Sequence, residues 1–218
     1  MQVDFHLLRL LSSRICHDII GPAGSLNFSF DILKEESPKG NNVDNKEAMD
    51  MINTSVYSLI AKLEFFRMSF GSASIAEGEA GLSRVKELIF NLFKEKDVNI
   101  KWTKDIDKAM LDFAKNDYFK LTLNVFLMIF YCLQRSAEIT IYAKKINNSL
   151  GVAIGVKGVG VKLGIDNIQA LRFEVLEKDL TPRNIQSYFT ALLSKNIDAK
   201  LEAKDNMQGE IQFAYILQ

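Results

Sequence analysis

Apolar residues recur at Leu8, Leu11, Ile15, Ile19, Pro22, Leu26, Phe30 and Leu33, and every spacing is three or four. A stripe held in phase over that length predicts one amphipathic helix across residues 4–34, continuous through its proline. Residues 37–42, SPKGNN, carry turn chemistry. Asp44 then opens a second periodic run with Ile52, Val56, Leu59, Leu63, Phe66 and Phe70. Two long helices joined by a short loop make an antiparallel hairpin. A lone hairpin buries only part of each stripe, so the remaining chain or a second copy has to cover the rest. Dimerisation into a four-helix bundle is the economical solution.

Residues 71–81, GSASIAEGEAG, are small and polar, and the pattern changes after them. We therefore expect a helical hairpin domain at 1–73 and a second domain at 80–218. In the latter, residues 82–94 and 118–135 read as helices, while VNIKW, EITIYAKKI, SLGVAIGVKG, IDAKLEAKD and EIQFAYIL alternate like strands. Asn147 with Asn148, and residues 206–209, supply hairpin turns. Pro182, with Thr181 as its N-cap, starts a further helix through Leu193. Hairpin-paired strands with interspersed helices predict an α/β sandwich, with helices on one face of a mixed sheet. The whole chain is then of the α+β class.

Charge narrows the partners. Lys plus Arg and Asp plus Glu number 27 each among 218 residues, so no net field draws the chain to nucleic acid or an anionic membrane. No secretory leader pattern is present, and the apolar run at 121–133 is broken by Thr122 and Asn124, which predicts a cytoplasmic protein with no membrane partner. Cys16 and Cys132 have no metal-ligand or redox-pair spacing and read as small apolar packing residues.

The chain has two histidines, and direction separates them. At about 100° per residue, His17 lies about 190° from the centre of the apolar stripe and faces away from the core. Ser13, Gly21 and Gly24 lie within roughly 40° of it and leave the imidazole above a low surface that a large partner can approach. Each glycine costs about 1 kcal/mol against alanine, and Pro22 removes the bond to the carbonyl of Asp18. An exposed imidazole on a rigid helix is a candidate nucleophile, since it keeps an unprotonated ring nitrogen at cellular pH. Asp18 is the candidate for orienting the ring, and Arg14, about 60° around the helix, for meeting phosphate charge. An acid and a base beside an exposed helical residue are equally compatible with an ordinary solvated face. His6, near the start of the helix, is assigned no role.

His-Asp-x-x-x-Pro within a helix, followed by a second helix and a small α/β domain, resembles the dimerisation and phosphotransfer box of histidine kinases. SRICHDIIGPAGSLNFSFDIL at 13–33, LEFFRMSFG at 63–71 and LTPRNIQSYFTALLSKNIDAKL at 180–201 are similar to alphaproteobacterial histidine phosphotransferases of the ChpT type. The resemblance implies a homodimer with a four-helix bundle and a histidine-kinase ATPase-like C-terminal domain. It also implies that His17 accepts phosphate from the receiver of a hybrid kinase (CckA-like) and passes it to response regulators (CtrA-like and CpdR-like). No cofactor is implied in the chain itself, because the receiver supplies magnesium.

A working kinase is the rival. The kinase N-box places two asparagines four apart; here Asn124 is followed by Met128, a poor ligand for magnesium. The kinase's Asp-x-Gly-x-Gly box has its nearest match at 156–160, where Val156 stands at the aspartate position. Gly158, Gly160 and Gly164 do not fit a dinucleotide loop and read as strand and turn residues. The expected function is thus histidine phosphotransfer through His17. An ATP-dependent kinase and a non-catalytic dimeric scaffold that binds receivers remain as alternatives. Ile20, Phe28 and Asp31 share the outward side with Ser13, Gly21 and Gly24 and form the expected receiver-docking surface; Phe28 serves equally well as a packing residue against the C-terminal domain or the second helix.

Overall fold

The computed structural model describes residues 5–34, 42–104 and 106–218, without the side chains of 42–44. The periodic N-terminal run forms α1 (Phe5–Lys34), unbroken through Pro22, and the second run forms α2 (Asn42–Ser69), which packs along it. Most of the turn expected at 37–42 lies outside the described residues. Of α1 only Ser29 is fully buried. Leu8 and Phe30, both on the apolar stripe, stay exposed, so the single chain does not cover what the sequence marks as a core face.

After the loop at 70–77 come α3 (Gly78–Phe93), β1 (Val98–Trp102), α4 (Ile106–Leu111) and α5 (Asn116–Cys132). The hairpin β2 (Ala137–Ile146) and β3 (Ser149–Gly158) follows, then α6 (Ile165–Leu171), a 3-10 turn at Glu177–Asp179, α7 (Ile185–Asn196), β4 (Lys200–Asp205) and β5 (Glu210–Leu217). The sheet order is β1-β2-β3-β5-β4, with β1 parallel to β2 and the remaining pairs antiparallel. Alternation puts Ile139, Ile141, Leu150, Val152, Ile154, Val156, Phe213 and Tyr215 on the inner face. These pack in one apolar cluster with Leu88, Phe93, Phe119, Phe126 and Ala191 from the helices. Trp102 stacks on Phe126 with centroids 6.1 Å apart. The chain is therefore α+β, a helical hairpin followed by a sandwich of helices on one face of a mixed sheet. Among the described residues no helix is long and apolar enough to cross a membrane.

Two elements and one cysteine differ from expectation. Helix α7 begins at Ile185, not Pro182, because Asn184 turns its carboxamide oxygen back to the Thr181 N–H (2.8 Å) and hydroxyl (3.2 Å), closing residues 181–184 into a turn. Strand β4 starts at Lys200 because Asp198 has φ 53°, which no extended strand accepts. Cys132 is buried, but Cys16 is exposed and packs in no core. The short helices α4 and α6 lack the length that makes periodicity readable.

The hairpin and the sandwich share contacts. Phe65, Phe66 and Met68 at the end of α2 belong to the sandwich cluster, and Ile15 and Ile19 of α1 pack against it. Leu7, Leu10 and Leu11 pack against a second cluster of Ala170, Leu180, Ile185 and Tyr188. Buried Asn124 donates to the carbonyl of Ser69 (3.1 Å), and Lys120 donates to that of Gly71 (2.7 Å).

Asp205, at the end of β4, ties down the loop before α6. Its carboxylate accepts from the N–H groups of Leu163 (2.8 Å), Gly164 (3.2 Å) and Met207 (2.7 Å). Burial opposes its charge, but these bonds and the charge of Lys162 prevail and hold its pKa below the ordinary aspartate value. A depressed carboxylate stabilises the fold above its unfolded-state pKa, and that gain is lost as pH falls through the folded-state value. Asp205→Ala is expected to cost about 1.5–3 kcal/mol at pH 7 by urea denaturation. The difference from wild type should shrink as the pH is lowered below about 4.

Candidate functional site

Pro22 has no N–H, so the carbonyl of Asp18 lacks its helical donor. Lys62 of α2 replaces it, with Nζ 3.3 Å from the Asp18 oxygen. This substitution lets α1 run on, and it places an ammonium group beside the residue that follows His17. Gly21 and Gly24 serve no packing need within the chain: a Cβ on either would meet nothing within 4 Å.

The side chain of His17 is 83% exposed, while that of the adjacent Asp18 is 13% exposed. Nδ1 of His17 lies 3.3 Å from Oδ1 of Asp18. A carboxylate only accepts, so the pairing keeps the ring proton on Nδ1 and leaves the lone pair on Nε2. Oδ2 of Asp18 accepts a hydrogen bond from the hydroxyl of Tyr131, at the end of α5. Burial, followed by the charge and hydrogen bond of Asp18, drives the Tyr131 pKa well above the usual phenol value. Tyr131 is therefore a fixed donor at physiological pH.

Arg14 completes the arrangement. Its guanidinium lies 3.8 Å from the centroid of the Tyr131 ring, its Nη1 donates to the carbonyl of Pro182 (3.2 Å), and its Nε stands 3.6 Å from Oδ2 of Asp18. Arg14 is engaged with the C-terminal sandwich instead of projecting beside the imidazole. Lys96 lies nearby, donating to the carbonyl of Leu133 (3.2 Å) with its ammonium over the ring of Phe130. Burial and then the charge of Lys62 lower its pKa.

The other residues singled out in the sequence divide into two groups. Ser13, Gly21, Gly24 and Asp31 are exposed on α1, as are Ile20 at 67% and Phe28 at 58%. Asp31 is paired locally with Lys34 (3.5 Å) and Asn27 (3.4 Å). Phe28 belongs to neither of the two apolar clusters. The positions compared with the kinase boxes are interior: Asn124, Met128 and Val156 are buried. Asn124 spends both amide protons on the carbonyls of Ser69 and Lys120. Gly158 closes β3, and Gly160 and Gly164 take positive φ in the following turn. Among the described residues no group of three or more His, Cys, Asp or Glu side chains is placed to hold a metal ion.

Residues 82–208 match the family described as the histidine phosphotransferase C-terminal domain. The chain belongs to this family. A curated relative, the protein phosphotransferase ChpT of Brucella abortus (strain 2308), is 26% identical over 192 residues, which is 88% of this chain and 87% of the relative. Among solved structures, a bacterial phosphotransferase superposes with a TM-score of 0.77 at 22% identity, covering 99% of this chain and 98% of that one. The catalytic domain of the histidine kinase ThkA is a more distant likeness, at 10% identity and a TM-score of 0.42 over 62% of this chain and 90% of that one.

Sequence reasoning missed Tyr131 and Lys62 as neighbours of this histidine phosphotransferase's Asp18. Lys62 had a signal: a proline within a helix frees one known carbonyl, and a lysine on the facing helix is the donor to look for. Tyr131 had none, because nothing in the order of residues relates positions 113 apart. Lys62→Met is expected to destabilise the protein by about 1–2 kcal/mol, through an orphaned carbonyl. In a Pro22→Ala background, where residue 22 regains its N–H, the same change should cost less than half as much. Urea denaturation of the four proteins in this cycle gives the coupling directly.

Proposed function

We propose that this histidine phosphotransferase is the shuttle of a phosphorelay, with His17 as the residue that carries the phosphoryl group. The lone pair of Nε2 attacks the phosphorus of a receiver's aspartyl phosphate. As the P–N bond forms, the P–O bond to the aspartate breaks, and the carboxylate leaves on the receiver. Nδ1 keeps its proton, so the ring becomes cationic on phosphorylation. Asp18, held by Tyr131 and Arg14, faces that charge. The reverse exchange delivers the phosphoryl group to the aspartate of a second receiver. Such chemistry asks the histidine protein for a positioned nucleophile and a docking surface, while magnesium in the receiver handles the phosphoryl oxygens.

The observation that carries this reading is the exposed His17 ring, tethered through Nδ1 to a buried carboxylate on an unbroken helix. The phosphoryl source is the receiver of a hybrid kinase, and the acceptors are response regulators. The receiver docks over Ser13, Ile20, Gly21, Gly24, Phe28 and Asp31, where two glycines keep the surface low and two exposed apolar side chains offer anchors. Residues 1–73 act as the dimerisation and phosphotransfer domain and 80–218 as a degenerate ATPase-like domain. A second copy covers the apolar residues left open on the hairpin, Phe5, Leu8 and Phe30 of α1 with Met49, Ile60 and Leu63 of α2, all of them exposed in the single chain. The product is a four-helix bundle at the centre of a homodimer.

Incubation with a phosphorylated receiver domain tests the proposal. Wild type should acquire acid-labile phosphate and His17→Gln none, while Tyr131→Phe should slow transfer about ten-fold, equivalent to about 1.4 kcal/mol of barrier. Transfer that survives His17→Gln would refute it.

A further inference from the structure

Helix α5 is apolar over most of its surface, with Phe119, Leu123, Phe126, Leu127 and Ile129 buried in the sandwich core. One stripe of it is polar. Asn116, Lys120, Asn124 and Tyr131 lie within about 80° of one another around the helix, and each bonds to the helical hairpin or to the loop that leaves it. Oδ1 of Asn116 accepts from the N–H of Ile75 (3.0 Å), Nζ of Lys120 donates to the carbonyl of Gly71 (2.7 Å), Nδ2 of Asn124 donates to that of Ser69 (3.1 Å), and the hydroxyl of Tyr131 donates to Oδ2 of Asp18. Thr122 points the opposite way and meets the hydroxyl of Tyr215 in the sheet at 2.9 Å.

A segment as small and polar as GSASIAEGEAG has the composition of a flexible linker. The stripe ties it down at Ser69, Gly71 and Ile75, and the N–H of Gly78 donates to the carbonyl of Ala114 (3.0 Å) at its far end. Phe70 adds a ring contact with Phe189 of α7, centroids 5.3 Å apart. Apolar contacts between elements tolerate sliding, whereas buried hydrogen bonds are met in one register only, and leaving one unmet is costly. All four bonds sit on one helix, so whatever fixes its start against the hairpin also fixes its end. Lys120 lies ~16 Å from Tyr131 along the axis, at ~1.5 Å per residue, too far to touch Asp18 or His17.

We propose that this stripe is a brace for phosphotransfer, in which Lys120, with Asn116 and Asn124, is a positioning residue that keeps Tyr131 on Asp18 and so keeps the imidazole of His17 in its reactive tautomer and direction. The inference rests on the phosphotransfer reading of His17, and it gives the C-terminal sandwich a task in that reaction that needs no nucleotide. Lys120 meets none of the reacting atoms and acts through Tyr131.

A double-mutant cycle on the full chain tests the brace, with transfer from a phosphorylated receiver domain measured against receiver concentration for wild type, Lys120→Met, Tyr131→Phe and the two combined. Lys120→Met should slow transfer at saturating receiver about three-fold, with the half-saturating concentration unchanged because the docking residues of α1 are untouched. The double variant should run no slower than Tyr131→Phe alone, since a brace that acts through Tyr131 has nothing further to lose. Should Lys120→Met fail to fold by circular dichroism, Asn116→Ala takes its place with the same expectations. Independently of activity, NMR should show the Tyr131 hydroxyl proton exchanging with solvent at least three-fold faster in Lys120→Met. Unchanged proton exchange, an unchanged saturating rate, a loss confined to the half-saturating concentration, or a loss that multiplies in full onto that of Tyr131→Phe would overturn the brace. Transfer that persists in His17→Gln would instead remove the phosphotransfer reading, leaving the exchange result to judge whether the stripe holds Tyr131.

Discussion

The carboxylate of Asp18 is the joint on which this molecule turns. One oxygen faces the ring of His17 and the other takes the hydroxyl of Tyr131, while the backbone carbonyl of the same residue is held by Lys62. Three parts of the chain, α1, α2 and the end of α5, thus meet at one residue next to the exposed imidazole. A largely buried carboxylate is tolerated only when both oxygens are engaged. Satisfying it fixes the sandwich against the hairpin and the imidazole against the carboxylate together.

That joint gives Pro22 a physical account. In an isolated helix a central proline costs about 3 kcal/mol, through a lost bond and a steric clash. Here the freed carbonyl is recovered by Lys62, so the helix stays continuous and the second helix is pinned beside His17. The two glycines have no such recovery within the chain. Their cost leaves a low outer surface around His17, the form a docking site for a folded partner requires.

Much of the fold was legible because its signals are local and periodic. The apolar spacing predicted α1, α2 and α3, alternation predicted β1, β2, β3 and β5, and asparagine and glycine marked both β hairpins. The start of α7 escaped because Asn184 competes for Thr181, and the start of β4 because Asp198 adopts a left-handed conformation. The outward direction of His17 followed from residue number alone. What a single helix cannot reveal is what another element brings to it. Arg14 looked like a partner for phosphate when only α1 was considered, yet it lies over Tyr131 and bonds the carbonyl of Pro182. The bond from buried Gln186 to Asn124 depends in the same way on α5 and α7 meeting, which no sequence spacing discloses.

The geometry makes a chemical commitment about one atom. In the proposed transfer, the proton of His17 held on Nδ1 by Asp18 directs phosphorus to Nε2. Correlated phosphorus and nitrogen NMR of the protein after phosphorylation by a receiver domain identifies the bonded atom directly. The account predicts a single phosphoramidate at Nε2 of His17, with Nδ1 still protonated. Phosphorus on Nδ1, or on any other residue, would contradict it.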